Sequence, residues 1–555
     1  MKSAQHLPAM SRATAISPAA LACATGLWLV AFDNLGFWRA LWAARDPSSL
    51  RGALAVAGLT LVLWSLFALL ARLLCWPRVG KIAIAMLLVV AALVAYFIGS
   101  YGILIDKGMM RNVLQTDWRE SADLVSLPLL LDFAWRGLLP AALVLSVRVA
   151  HPGWRQALAG IARSALLFAA LAAACAAVFY ADYASAARNH RELRHLLTPT
   201  NVFNGLAGLW KDHSRANRRF VRVGEDARRD PADPRAKPLL VVLVVGETAR
   251  AANFSLGGYA RPTNQALAGK GVVYFGDVSS CGTDTATSLP CMFSDLGAAR
   301  FSAAEAAARE NVLDILARTG VAVRWLDNNS GCKGVCDRVP WQDLSGGDDP
   351  ALCTGGECLD GVLLQRLREV LTASVSDNLL VLHMKGSHGP AYYKRYPAAG
   401  RRFEPTCDTN QIQRCDVEAL RNTYDNGIAY TSEVLAGQID LLAAQAHRVD
   451  SVLLYLSDHG ESLGERNIYL HGLPKMLAPR EQTQVPMLAW LSPGARQRLG
   501  VDEAALARVA ARPLTHDNLG PTLLGLFGVR TSAVRAELDL MALARRAGPQ
   551  GAEKP

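Results

Sequence analysis

Charge is scarce in this chain: Asp, Glu, Lys and Arg together make 19% of its 555 residues, against 51% apolar. A disordered chain needs the opposite balance, and an ordinary soluble protein carries more charge than this. Internal repeats and low-complexity tracts are also lacking, which excludes a solenoid or a fibrous assembly. The net charge of +10 comes without a basic patch, because the arginines are scattered, so nucleic-acid binding is not expected. What is present is length enough for three or four domains of about 150 residues each. The apolar excess is concentrated in the first third. The chain reads as a membrane protein carrying a large soluble domain.

Five stretches approach the roughly 20 apolar residues that a spanning helix needs: 13–32, 52–74, 82–105, 124–147 and 160–181. The fourth carries Asp132 and Arg136, spaced so that they pair on one helix face. Lys2 and Arg12 precede the first stretch, whose length favours a retained anchor over a cleaved signal peptide. The positive-inside rule decides little: a cytoplasmic N-terminus places eight Lys/Arg near inside loops and six near outside ones.

Cysteine decides more. Of eleven, Cys23, Cys75 and Cys175 lie in apolar stretches and read as small buried hydrophobes. The other eight fall after residue 280 as four close pairs, spaced by 10, 4, 5 and 8: Cys281 and Cys291, Cys332 and Cys336, Cys353 and Cys358, Cys407 and Cys415. Eight cysteines allow 105 connectivities, of which neighbour pairing is the simplest. Structural zinc is the rival, although none of the pairs is a CxxC. Disulfides require an oxidising compartment, and an odd number of spans puts the C-terminal domain there. The N-terminus is therefore expected in the cytoplasm and the soluble domain outside.

Domain limits are expected at 1–181 for the membrane domain, 182–237 for a connector, 238–545 for the catalytic domain and 546–555 for a flexible tail. The connector is rich in Arg, His, Asp and Asn, with a loose apolar stripe of Leu197, Val202, Phe203, Leu206 and Leu209. It suits an interfacial helix or a solvated linker. From 238 onward apolar runs at 239–245, 272–275, 321–326, 379–384, 452–456 and 485–491 alternate with helical patterns at 303–319, 359–371 and 416–446. That pattern predicts a parallel sheet covered on both faces, with its ligands at the carboxyl ends of the strands.

Three of those strand ends carry polar groups: Glu247 after the first, Lys385 to His388 after another, and Asp458-His459-Gly460-Glu461 after a third. Glu247, Asp458 and His459 offer two carboxylates and an imidazole, a donor set that suits Zn²⁺. The hydroxyl-rich segment 280–291 is the candidate nucleophile loop, because metal coordination can activate a hydroxyl at neutral pH. If Thr285 opens a helix, its N-terminal amides also favour a phosphoryl oxygen. A simple Thr/Ser-rich turn is the alternative from spacing alone.

Five motifs occur in order: Gly246-Glu247-Thr248-Ala249-Arg250, the segment 281–294 ending Cys-Met-Phe-Ser, Asp327-Asn328-Asn329-Ser330, Ser387-His388-Gly389-Pro390, and Ser457-Asp458-His459-Gly460-Glu461-Ser462. With the spans before them, they make the whole chain resemble the bacterial phosphoethanolamine transferases that modify lipid A, a group that includes polymyxin-resistance enzymes. The resemblance implies an all-α membrane domain of five helices and an α/β catalytic domain of the alkaline-phosphatase/sulfatase type. It makes Thr285 the nucleophile and Glu247, Thr285, Asp458 and His459 the ligands of one firmly bound zinc, with room for a second during turnover. It sets His388 and His471 around the phosphoryl group. It gives Asn329, Ser330, Lys333 and Glu461 to the phosphoethanolamine pocket, and Asn112, Thr116 and Glu120 to the donor headgroup. Its disulfides match neighbour pairing, with Cys332–Cys336 the least general. The implied donor is phosphatidylethanolamine, the acceptor a phosphate of lipid A in lipopolysaccharide, and the setting the inner membrane with a periplasmic catalytic domain, as a monomer. The same chemistry on core sugar, Kdo or another surface glycan is the alternative acceptor. A membrane-anchored phosphoglycerol transferase or sulfatase-type hydrolase shares the fold, but the dense cysteine pattern speaks against the first and Thr285 against the second.

Overall fold

A computed structural model describes residues 15–43, 50–150, 153–190, 192–215, 220–230, 236–373 and 376–547. Lys2, Arg12, the first two residues of the 13–32 span and positions 548–555 of the expected tail lie outside the described residues. The chain divides into two compact units, Met1–Ile105 with Val125–Asn204, and Asp106–Leu124 with Gly205–Pro555.

In the first unit, Leu50–Leu74, Gly80–Tyr101, Leu127–Ser146 and Trp154–Val178 are each long and apolar enough to cross a membrane. The expected first span is shorter. Pro18–Phe32 bends by 51° into Leu35–Ala43, and counts as a fifth span only if the bent pair crosses as one. The break falls at Asp33-Asn34, where the Asn34 amide donates to the Leu29 and Thr198 carbonyls, at 2.9 and 2.7 Å. A side chain that competes for backbone groups in this way favours a helix end. Arg136 Nε donates to Asp132 at 2.9 Å and Nη1 donates to the Phe32 carbonyl at 3.1 Å, so the intramembrane cation is fully engaged. The chain is a multi-pass membrane protein.

The second unit is built on eight strands: β1 (Leu239–Gly246), β2 (Val273–Ser279), β3 (Ala322–Asp327), β4 (Trp341–Asp343), β5 (Asn378–His383), β6 (Asp450–Ser457), β7 (Gln484–Leu491) and β8 (Leu514–Thr515). Their order is β8-β2-β7-β6-β1-β5-β3-β4. β1 and β6 are buried along their whole length, as continuous apolar runs in the middle of a doubly covered sheet should be. The sheet is mixed, which corrects the all-parallel expectation: β7 runs antiparallel to both β6 and β2. A parallel return needs a crossover, usually helical. Between β6 and β7 there are only two short helical turns, Glu465–Asn467 and Arg480–Thr483, so the chain re-enters the sheet from the end it left. The expected helix at 303–319 also divides, into Ala303–Ala306 and Val312–Arg318, because Asn311 and Asp314 form a reciprocal cap that starts a new helix. Helices Gly361–Ala373 and Val417–Ala444 agree with expectation.

Leu243, at the centre of β1, has no solvent exposure. Leu243→Ala removes methyl groups from a site that cannot collapse, at a cost of about 2–5 kcal/mol. A thermal melt of the detergent-solubilised protein should show a lowered midpoint for this variant.

Candidate active site

The site begins with strand register. β1 and β6 are parallel neighbours with Gly246 opposite Ser457, so the next residues, Glu247 and Asp458, leave the sheet side by side. One atom from each of Glu247, Asp458 and His459 falls within 4.8 Å of the others, and all three residues are fully buried. Thr285 opens the helix Thr285–Met292, whose N-cap Asp284 accepts from the Thr287 amide. Its hydroxyl lies 3.0 and 3.2 Å from the two Glu247 carboxylate oxygens and 3.2 Å from His459 Nε2. The Cys281–Cys291 disulfide spans this segment, and Cys332–Cys336, Cys353–Cys358 and Cys407–Cys415 are likewise bonded.

The donor atoms face one another in a way that calls for a cation. His459 Nδ1 donates to the Gly460 carbonyl at 2.9 Å, which turns the Nε2 lone pair inward. Nε2 meets Glu247 Oε1 at 3.3 Å and Asp458 Oδ2 at 3.4 Å, and Asp458 Oδ2 is buried with no hydrogen-bond partner. Burial alone would lower the His459 pKa, yet the Asp458 and Glu247 carboxylates push it up to about 10. Burial, then the charge of Glu247, raises Asp458 to about 6. Two carboxylates, an imidazole and a hydroxyl converging on one buried point fit a zinc ion.

Further side chains close around this group. The His471 ring centroid lies 4.4 Å from that of His459 and 5.6 Å from that of His388. Glu461, fully buried, faces His471 Nδ1 at 3.3 Å through Oε2. The Asn329 amide donates to Glu247 at 2.7 Å, so it reaches a carboxylate of the metal group. Lys333, in a left-handed conformation inside the Cys332–Cys336 loop, donates to Ser330 Oγ at 2.9 Å and to the Gln115 carbonyl at 3.4 Å. Asn112 lies on Lys107–Gln115 and Thr116 caps the C-terminus of that helix, its hydroxyl donating back to the Asn112 carbonyl at 2.8 Å. Glu120 lies on the next helix, Trp118–Asp123, 4.0 Å from His388 Nε2. A cavity of about 320 Å³ beside the Thr285 helix is lined by Arg111, Gln115, Ala286, Pro290, Lys333 and Val335 among others.

Two histidines that sequence reasoning missed hold the site from behind. His383, the last residue of β5, bonds Asp327 at 2.8 Å and lies 3.3 Å from the Asn329 amide. His516 accepts from the Cys281 amide at 3.0 Å through Nδ1 and donates to the Ser457 carbonyl at 3.0 Å through Nε2, so it ties the start of the Cys281–Cys291 loop to β6. For His383 the available signal was a polar residue closing an apolar run, and for His516 there was none; the partners of both lie far away in sequence.

A family model described as Sulfatase matches residues 240–529, and one described as Phosphoethanolamine transferase EptA/EptB matches residues 63–214. Phosphoethanolamine transferase EptA of Escherichia coli (strain K12) is 42% identical over 518 residues, which cover 92% of this chain and 94% of that one. The chain belongs to the phosphoethanolamine transferases. Phosphatidylethanolamine transferase Mcr-1 of Escherichia coli is 37% identical over 534 residues, 94% of this chain and 96% of that one. The solved integral membrane lipooligosaccharide phosphoethanolamine transferase A (EptA) from Neisseria meningitidis superposes with a TM-score of 0.92 at 37% identity, covering 95% of this chain and 99% of that one. The transferase fold expected from the motifs, a helical membrane region followed by a sulfatase-like α/β domain, is the fold this chain adopts.

In this transferase His516 is held neutral. Burial lowers its pKa to about 3 from the ordinary 6.5, so below 6.5 the unfolded chain takes up a proton that the folded one refuses. Stability then falls with pH between 6.5 and 3, by about 1.4 kcal/mol per pH unit once well below 6.5. His516→Asn should flatten the thermal midpoint between pH 6.5 and 4.5 relative to the parent chain.

Proposed function

We propose that the protein transfers phosphoethanolamine from phosphatidylethanolamine to a phosphate of lipid A through an ester on Thr285, releasing diacylglycerol and so conferring resistance to polymyxin. The observation that carries this is the Thr285 hydroxyl at the N-terminus of its helix, within 3.2 Å of both Glu247 and His459. The enzyme works as a monomer in the bacterial inner membrane, with its N-terminus in the cytoplasm and its catalytic domain in the periplasm, where four disulfides are stable. The name of the Neisseria relative points to a lipid-anchored glycan as acceptor, and that of Mcr-1 to phosphatidylethanolamine as donor.

Glu247, Thr285, Asp458 and His459 would hold the zinc, whose chemistry when bound is to favour the ionised threonine hydroxyl and offset phosphoryl charge. In the first displacement Thr285 Oγ1 attacks the phosphorus of the donor and the bond to the diacylglycerol oxygen breaks. His471, oriented through Nδ1 by Glu461, protonates that leaving oxygen. Burial, reinforced by the charges of Lys385 and His471, keeps His388 well below the ordinary histidine range, and a neutral imidazole suits removal of a proton from the acceptor. A phosphate oxygen of lipid A then displaces Thr285, and two displacements through one ester require ping-pong kinetics. Asn112, Thr116 and Glu120 receive the donor headgroup, and Ser330, Lys333 and Asn329 border the phosphoryl site beside the cavity.

The test is intact-mass analysis of purified enzyme incubated with phosphatidylethanolamine and no acceptor, then denatured. One phosphoethanolamine ester per chain is expected, mapped to the peptide containing Thr285. It should be lost in Thr285→Ala and on chelation, and return when zinc is restored. An unmodified parent chain that still transfers would rule out the covalent route.

A further inference from the structure

Helix Trp118–Asp123 carries two acids, Glu120 and Asp123, and cations from the segment after β5 hold both. Lys385 Nζ lies 3.3 Å from Glu357 Oε1 and 3.7 Å from Glu120 Oε1. Arg395 continues the series, with Nη1 3.4 Å from Glu357 Oε2 and Nη2 3.1 Å from Asp123 Oδ2, and Lys394 pairs with the other Asp123 oxygen. The signs alternate along Glu120, Lys385, Glu357, Arg395 and Asp123. The series therefore leaves the helix at Glu120 and returns to it at Asp123, by way of Glu357 beside the Cys353–Cys358 bond.

Both cations at the centre are buried, Lys385 at 6% exposure and Arg395 at 5%. Burial would raise the Glu357 pKa, but Arg395 and Lys385 outweigh it and hold the carboxyl down to about 2. Glu357 is thus ionised at any working pH and neutralises two cations at once. One of them is placed unexpectedly for an enzyme that must bind an amine. An ammonium already stands against the carboxylate that would receive the donor's own ammonium, and two like charges cannot share one carboxylate at close range without repulsion.

We propose that the Lys385 ammonium is the resting occupant of Glu120 and so sets the affinity for amine-bearing donors: the headgroup amine takes Glu120, and Lys385 is retained by Glu357. The proposal rests on Glu120 receiving the donor headgroup. Glu357 is what makes the exchange workable, because a buried lysine released from its only partner would be left uncompensated. Its 3.3 Å separation, the shorter of the two, means that Lys385 need not leave its place. A headgroup without positive charge gains nothing at Glu120 and does not displace Lys385.

The two partners of Lys385 give effects of opposite sign. The full-length zinc-loaded enzyme is assayed in mixed micelles with fluorescently labelled phosphatidylethanolamine as donor and purified lipid A as acceptor. Lys385→Met should lower the donor KM roughly three- to tenfold, with a smaller change in kcat, because Glu120 is vacated. Glu357→Gln should raise the KM by a similar factor, because Lys385 is then left to Glu120 alone. Lys385→Arg should stay close to the parent. If Lys385→Met does not fold, as judged by its melt, Lys385→Gln carries the same expectation. A donor KM that moves in the same direction in Lys385→Met and Glu357→Gln, or rises in Lys385→Met, overturns the proposal. Glu120→Gln separates the two layers: a raised donor KM upholds the headgroup role of Glu120 whatever Lys385 does, and an unchanged one removes that role and the proposal with it.

Discussion

Two carboxylates and an imidazole nitrogen, all within 4.8 Å and all out of contact with water, stay together only while a positive charge stands among them, a proton on His459 or a metal ion. Much of the catalytic unit serves to hold that arrangement. The parallel register of β1 and β6 brings Glu247 beside Asp458. Asn329, fixed by Asp327 and neighbouring His383, donates to Glu247 from one side. His516 draws the disulfide-closed Thr285 segment onto β6 from the other. Each contact orients one of these groups just beyond the end of a sheet strand, where the register of β1 and β6 sets its place.

The same economy of charge recurs at the helix that carries Glu120. There the compensation is internal: Glu120, Glu357 and Asp123 balance Lys385, Arg395 and Lys394. A site that compensates its own resting charges can exchange one of them for a ligand's charge without a large conformational change. The Glu247, Asp458 and His459 group and the charges around Glu120 thus follow one rule, that a buried charge persists only with a partner.

Much of this was legible in the residues, for physical reasons that also explain the gaps. Continuous apolar runs such as 239–245 and 452–456 announce buried strands, and polar residues following them mark the ligand edge. Strand direction leaves no such trace, which is why β7 appeared parallel until the short return from β6 was seen. The break at Asp33-Asn34 falls where the expected 13–32 stretch ends, but the bend into Leu35–Ala43 left no trace because the Asn34 contact depends on Thr198, far along the chain. The division of 303–319 was present as an Asn-x-x-Asp cap at Asn311 and Asp314 but was outweighed by the helical pattern around it. His383, His516 and Lys385 were the least legible. Each acts through partners brought near only by the sheet, and a single polar residue carries no mark of them. Family motifs supplied Thr285, His388 and His471 as a set, which spacing alone could not distinguish from a polar turn.

The most direct test of the account is mass spectrometry of lipid A from cells expressing the parent chain and Thr285→Ala. The account predicts a gain of one or two phosphoethanolamine units on lipid A with the parent chain and none with the variant. Unmodified lipid A in both would contradict the acceptor and move the search to core sugars. Modification that persists in Thr285→Ala would contradict the nucleophile.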